Sequence, residues 1–281
     1  MWRGLLFQLA KHWIAGETYE DAMKRAEWSN ANNLLSIINL LGEDLTAREE
    51  VTAASSEYVE ILKTLATRKI RGCISIKPTQ LGLTIERKLY EENMKTILET
   101  AKSLQTFVWI DMENSPYTTD TVESYLEFLK QFDNVGIAIQ AYLKRSNEDV
   151  QKILDSNGVI RLVKGAYTES PEIVFRNKDQ VNENFSTLMG LMFERGNRFA
   201  IGTHHEMLIE EAAKLSKTRS VDFEFEMLMG IRDSKKLELA QRGFRVSEYI
   251  PYGKGWWGYS VRRIREHKSN IFLLARSLMG G

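Results

Sequence analysis

The sequence predicts an α/β chain folded as a parallel barrel of the (βα)8 type, preceded by a helical arm. Three observations lead there. Eight short runs rich in β-branched and aromatic residues recur at intervals of about 22 to 40 residues, the length and composition of buried strands. Amphipathic stretches with helical spacing lie between most of them. No Gly/Ser/Pro-rich linker divides the chain, and its only prolines are Pro78, Pro116, Pro171 and Pro251. The 281 residues are therefore read as one domain, with 1–30 as the arm and 31–281 as the barrel. An open doubly wound sheet is the structural competitor.

In chain order, Thr18–Trp28 forms the helix of the arm. The strand runs are Leu34–Leu41, Gly72–Lys77, Thr106–Asp111, Val135–Gln140, Val159–Lys164, Phe199–Thr203, Val221–Glu226 and Phe244–Tyr249. Helical stripes fill Leu45–Thr67, Thr84–Leu104, Thr119–Gln131, Ser170–Arg195, Met207–Lys217 and Trp256–Met279. Within Thr119–Gln131, the residues Val122, Tyr125, Leu126 and Leu129 share one face, Asp120 suits a helix start and Thr121 suits a cap. A parallel barrel carries its active site where the strands end. Lys77, Asp111, Gln140, Lys164, Thr203, Glu226 and Tyr249 stand at those ends.

Composition removes several function classes. The 38 Lys+Arg balance 38 Asp+Glu, so a broad polyanion-binding surface is absent and no nucleic-acid partner is expected. Cys73 is the single cysteine, which excludes an internal disulfide and a cysteine-rich metal site. No apolar run approaches the roughly 20 residues of a spanning helix. Residues Met1–Phe7 lack the small-residue cleavage site of a signal peptide; they read as an amphipathic patch that either touches a membrane surface or packs on the domain. Residues 232–268 hold ten Lys/Arg against four acids, +6 in one segment, which points to a small anionic substrate near the last strand and helix.

Two motifs are set aside. Gly253-Lys254-Gly255-Trp256-Trp257-Gly258 fits G-x-G-x-x-G, but too little chain follows for the rest of a dinucleotide-binding unit. His204-His205-Glu206 lacks the i, i+4 spacing of paired metal-binding histidines, so no metal is expected; Thr203 and His204 suit anion contact at a helix start. Two other constellations carry chemistry. Arg161 interrupts an apolar strand, so its guanidinium needs a ligand or an ion-pair partner such as Asp111 or Glu226; both readings stand. Tyr249, Tyr252 and Tyr259 with Arg262 and Arg263 suit bidentate capture of a small carboxylate beside an apolar ring.

The ordered set of motifs closely resembles the proline dehydrogenase family. It includes Leu40-Leu41-Gly42-Glu43, Ile76-Lys77-x-x-Gln80-Leu81-Gly82, Ile110-Asp111-Met112-Glu113 and Gln140-Ala141-Tyr142. It continues through Arg161-Leu162-Val163-Lys164-Gly165-Ala166-Tyr167, Thr203-His204, Phe225-Glu226-Met227-Leu228-x-Gly230, and Tyr249-x-Pro251-Tyr252-Gly253 with Trp257, Tyr259 and Arg262-Arg263-x-x-Glu266.

The resemblance implies a distorted (βα)8, TIM-like barrel that oxidises L-proline to Δ1-pyrroline-5-carboxylate, reducing FAD, which passes electrons to a quinone. It implies that Lys77, Arg262 and Arg263 hold the substrate carboxylate. Tyr249, Tyr259 and Leu228 would wall the ring, with Tyr167 near substrate and flavin. Asp111 supports the basic cluster, and Arg161 sits by the flavin. Met112, Gln140, Lys164, Gly165, Ala166, Thr203, His204 and Glu266 contact FAD. A cytoplasmic enzyme at the inner face of the membrane follows from the quinone. The chain departs from the family where Thr-His-Asn becomes Thr203-His204-His205 and where the residue after Glu266 is His267 rather than Asn. A barrel lyase is a competing enzyme class; it needs Lys77 or Lys164 with a depressed pKa.

Overall fold

The computed structural model describes residue 7 and residues 10–266, without the side chains of 262 and 264–266. Eight strands close into a parallel barrel in sequence order. They are β1 (Leu35–Leu40), β2 (Gly72–Ile76), β3 (Val108–Ile110), β4 (Val135–Gln140), β5 (Val159–Val163), β6 (Arg198–Gly202), β7 (Asp222–Leu228) and β8 (Val246–Tyr252). Closure is made by β8 on β1, in register from Leu35 opposite Ser247 to Leu40 opposite Tyr252. The open sheet is thereby excluded.

The helices are α1 (Tyr19–Ala31), α2 (Arg48–Thr67), α3 (Arg87–Ser103), α4 (Ser115–Leu129), α5 (Ser146–Asp155), α6 (Lys178–Arg195), α7 (Glu206–Leu215), α8 (Asp233–Gln241) and α9 (Trp256–Glu266). Their apolar stripes and the outer faces of the strands make one large core, because a parallel strand covered on both sides must be apolar on both. A smaller cluster of Ile37, Trp109 and Ala200 fills the barrel interior, with Cys73 and Tyr249 against it.

Several elements differ from the sequence expectation, each for a local reason. Helix α4 begins at Ser115 with Pro116 in its first turn, ahead of Asp120; Thr121 instead bonds back to the Tyr117 carbonyl at 2.7 Å. Residues 170–177 are not helical: Val174 bridges to Leu143, and Asn177 caps α6 by accepting from Asp179 N at 2.7 Å. Helices α5 and α8, of 10 and 9 residues, lie in stretches where no stripe was read. Strand β7 extends to Leu228, which draws Glu226 inside the barrel rather than leaving it at the strand end.

The arm is tied to the barrel rather than set apart from it. Arg25 of α1 grips Glu248 of β8 through two bonds of 2.7 Å, and Lys236 of α8 meets the same carboxylate at 2.6 Å. Further back, Ala15 N donates to Pro251 O and Gly253 N to Gly16 O, both at 2.9 Å. Ala10, Trp13 and Ile14 pack with Leu41, Ile231, Trp256 and Tyr259 over the mouth where the strands end. Gly230 has φ +71°, and a Cβ there would lie 1.6 Å from the His12 carbonyl oxygen, so only glycine admits this close approach. Expectations on residues 1–6, 8–9 and 267–281 lie outside the described residues.

Candidate active site

Strand alternation puts every second side chain inside the barrel. Cys73 and Ser75 on β2, Trp109 on β3 with Asp111 just beyond it, Arg161 on β5, Glu224 and Glu226 on β7, and Ser247 and Tyr249 on β8 all follow that period. At its C-terminal end this polar interior becomes a tightly bonded cluster centred on Asp111.

Asp111 Oδ1 accepts from Ser75 Oγ at 2.7 Å and from Arg161 Nη1 at 2.8 Å. Oδ2 accepts from Tyr249 OH at 2.6 Å and Lys77 Nζ at 3.1 Å. Burial opposes ionisation of this carboxyl, but Lys77, Arg161 and the bonds from Tyr249 and Ser75 outweigh it and hold Asp111 below the usual carboxylate range. Burial equally disfavours the Lys77 ammonium, yet Tyr167, Asp111, Tyr249 and Glu113 keep it protonated well above the usual lysine range. That charge state suits anion binding and fails the depressed pKa a Schiff-base lysine needs.

Arg161 is 3% exposed. Its guanidinium lies 4.5 Å from the Trp109 ring centroid and 5.6 Å from that of Tyr249. Nε forms an ion pair with Glu226, and Nη1 also reaches Ser75 at 3.0 Å. Nη2 is buried with no hydrogen-bond partner among the described residues. The two partners named from sequence are therefore both present, and one donor still lacks an acceptor. A buried guanidinium N–H left unpaired is costly, which implies a polar ligand.

The site sits in a chain with marked similarity to known proteins. The family model "Proline dehydrogenase" matches residues 22–275. Proline dehydrogenase 2 of Bacillus subtilis (strain 168) is 32% identical over 280 residues, covering 95% of this chain and 92% of that one. Proline dehydrogenase 1 of the same strain is 33% identical over 273 residues, covering 96% and 90%.

The chain belongs to the proline dehydrogenase family. It is an oxidoreductase of that family. The fold agrees with the structure of proline utilization A from Bdellovibrio bacteriovorus inactivated by N-propargylglycine, at a TM-score of 0.86 and 24% identity over 92% of this chain. The chain spans 32% of the length of that solved protein.

The structure brings most of the residues named from the proline dehydrogenase motifs to one rim. Lys77, Asp111, Gln140, Arg161 and Thr203 are buried there, and Met112 is buried in the main core. Gln140 Nε2 donates to the Glu113 carbonyl at 2.9 Å, fixing its amide. Lys164 is half-buried and donates to Asn182 at 2.5 Å; burial and the nearby Lys178 lower its pKa. Gly165 has φ +102°, and a Cβ there would lie 2.1 Å from the Tyr142 ring, so two motif residues of the proline dehydrogenase pattern are explained by one contact. Ala166 is exposed beside it, and the Tyr167 hydroxyl donates to Glu43 at 3.1 Å.

On the far side, His204 Nε2 accepts from the Leu228 amide at 2.9 Å, and Thr203 Oγ1 accepts from His205 N at 3.2 Å. His205 Nδ1 is buried without a partner among the described residues. Tyr259 is buried on α9 with Arg263 stacked 5.1 Å over its ring. Arg262 and Glu266 lie on the same helix, and their side chains lie outside the described residues.

Sequence reasoning missed the supporting residues. Ser75, Trp109 and Glu113 were given no role, although their alternate spacing with Lys77 and Asp111 is the signal that marks them as inward-facing. Glu113 accepts from Thr79 N at 2.8 Å and Thr79 Oγ1 at 2.7 Å, and burial pushes its carboxyl up to about 7 against Lys77 and Thr79. The positive segment 232–268 is also reinterpreted. Arg232 pairs with Glu206, Lys235 with Glu206 and Glu210, Lys236 with Glu248, Arg242 with Glu210, and Arg245 with Asp222. Among the described residues, five of its bases are engaged in ion pairs that hold α8 and β8 in place, which leaves the expected substrate field to its other bases, Arg262 and Arg263 among them.

Proposed function

We propose that this chain oxidises L-proline to Δ1-pyrroline-5-carboxylate with bound FAD, electrons passing on to a quinone. One observation carries the reading: the partnerless Nη2 of Arg161, buried beside a carboxylate that its neighbours have saturated. Family membership supplies the substrate class, and that N–H supplies a place for a polar acceptor inside it.

The residues present fit the flavin. Arg161 Nη2, a donor, and His205 Nδ1 are buried polar atoms lacking hydrogen-bond partners among the described residues. Gln140, Arg161, Lys164, Gly165, Ala166, Thr203 and His204 would hold it, together with Met112 and Glu266. When bound, FAD supplies the two-electron acceptor for hydride from the ring carbon beside the nitrogen.

The protein's own task is alignment. Lys77, Arg262 and Arg263 clamp the proline carboxylate, and Tyr249, Tyr259 and Leu228 wall the ring with Tyr167 beside it. Fixing the carboxylate at several cations orients the reacting carbon, and that orientation lowers the barrier without new chemistry from the side chains. Asp111 keeps Lys77 and Arg161 charged and apart. Arg161's positive charge favours the negative charge that reduction places on the flavin ring.

Among the described residues no helix is long and apolar enough to cross a membrane. Phe7, the one described residue of Met1–Phe7, packs against Trp256 at 5.3 Å between ring centroids, which supports the reading that this segment packs on the domain. The deciding experiment is the visible spectrum of purified protein before and after anaerobic L-proline. Flavin bands that bleach support the assignment; a protein that binds no flavin even after FAD is added refutes it.

A further inference from the structure

Glu226 is a buried ionisable group that the proposed mechanism does not use. It is 4% exposed, its Oε2 lies against Arg161 Nε, and neither of its oxygens makes a hydrogen bond among the described residues. The ionisable groups acting on it come from four strands. They are Arg161 from β5, Asp111 at the end of β3, Glu224 from its own strand and Cys73 from β2. Tyr249 of β8 reaches the group through Asp111.

Two buried carboxyls vary the charge count of this cluster near neutrality, Glu226 beside Arg161 and Glu113 beside Lys77. Lys77 and Arg161 are cations, and Asp111 is an anion fixed by four bonds. Glu224 faces the opposite end, where it accepts from Ser247 Oγ at 2.7 Å and lies 3.5 Å from Arg245. Glu113 stands beside Lys77 and is held by Thr79. On the Arg161 side of the cluster, and for a given state of Glu113, Lys77 and Arg161 exceed Asp111 by one positive charge while Glu226 is neutral. With Glu226 ionised, that excess vanishes in a region where solvent screens little.

We infer that Glu226 is a positioning residue that acts through Arg161, setting by one proton whether the cluster offers net positive charge to an anionic ligand at the barrel mouth. The inference rests on the proposed reading that the mouth takes a carboxylate beside a flavin. Burial, reinforced by Glu224 and Asp111 and opposed by Arg161, pushes the Glu226 carboxyl up to about 8, so near neutrality it carries its proton. Ligand binding and proton retention are then linked. An anion at the mouth favours the neutral acid, and ionisation of Glu226 weakens the anion.

Cyclopentanecarboxylate tests this, since it has the ring and carboxylate of proline but no amine to titrate or oxidise. Its Kd is read from the change in the visible spectrum of the bound flavin between pH 7 and pH 9, in the wild-type holoenzyme and in Glu226→Gln. The wild-type Kd should rise about tenfold more across that range than that of the Gln variant, whose remaining rise belongs to Glu113. Parallel slopes would assign the titration to Glu113 or Lys164 and overturn the inference. Calorimetry supplies a second reading on the unmodified protein. In two buffers of different ionisation enthalpy at pH 8, carboxylate binding should take up protons, and no uptake overturns the inference whatever the variant does. A chain that binds no flavin would refute the proposed function instead, and the calorimetric measurement would still test Glu226.

Discussion

Replacing Asp111 with Asn is the most informative single change, because the structure dictates what the amide meets. Both carboxylate oxygens already accept two hydrogen bonds, from Ser75 and Arg161 on one side and from Tyr249 and Lys77 on the other. An amide keeps one oxygen and turns an NH2 toward two donors. Two buried cations also lose the anion between them. Removing one member of a buried ion pair costs about 3–5 kcal/mol, and the donor conflict adds to it. Glu226 offsets part of this, since losing Asp111 favours its ionisation against Arg161; about 3 kcal/mol is the net expectation. For a chain of this size that corresponds to a Tm lower by about 10 °C.

The assay is denaturant unfolding of Asp111→Asn and wild type at pH 7, then along a pH series. Because the native pKa of Asp111 is depressed, its stabilisation is present above the unfolded-state carboxylate pKa and is lost as pH falls through the native value. The variant should therefore lack that acid-side slope. Asp111→Asn combined with Glu226→Gln should cost more than the two single changes together, because the compensating charge is gone. An Asn variant within about 1 kcal/mol of wild type would refute the view that Asp111 holds this cluster together.

Other expectations follow the same geometry. Tyr249→Phe removes a 2.6 Å bond to a charged acceptor and should cost about 1.5–3 kcal/mol in denaturant unfolding. Gly165→Ala forces a Cβ against the Tyr142 ring at positive φ; it should lower flavin retention after gel filtration, and full retention would contradict the close-approach argument. Arg263→Ala should raise KM for proline more than it lowers kcat, as loss of a binding cation does; an unchanged kcat/KM would remove Arg263 from the clamp. Gly230→Ala should loosen the segment over the mouth, read as faster limited proteolysis near His12 with the barrel intact.

The barrel was legible because its determinants are local and periodic. Strands such as Val135–Gln140 are apolar up to their last residue, and that continuous run marks a strand covered on both faces. Helix α5 carries a short stripe of Val150, Ile153 and Leu154, whereas α8 has none. The buried residues of α8 are Lys235, Lys236, Leu239 and Ala240, so two of the four carry charge and no apolar stripe announces them. Their burial is licensed by Glu206, Glu210, Asp233 and Glu248 from other parts of the chain or from the helix start, information that single-segment periodicity does not contain. For the site, motif order identified the rim residues. The interior partners Ser75 and Glu226 depend on which strands stand opposite one another.

Net charge illustrates the same point. A chain with equal acids and bases can still hold a strong local field, and that field does not follow from the surplus of bases in one segment alone. Segment 232–268 spends much of that surplus on ion pairs at the outside of the barrel, whereas Lys77 and Arg161 come from segments with no such excess. What matters is the count inside a region of low dielectric, where one proton outweighs several exposed pairs. Two cations and one fully bonded carboxylate leave the cluster one positive charge that ionisation of Glu226 beside Arg161 would remove. The fold achieves this by placing the acid deep, between strands that exclude water, and giving it only one side of a guanidinium that Asp111 already holds.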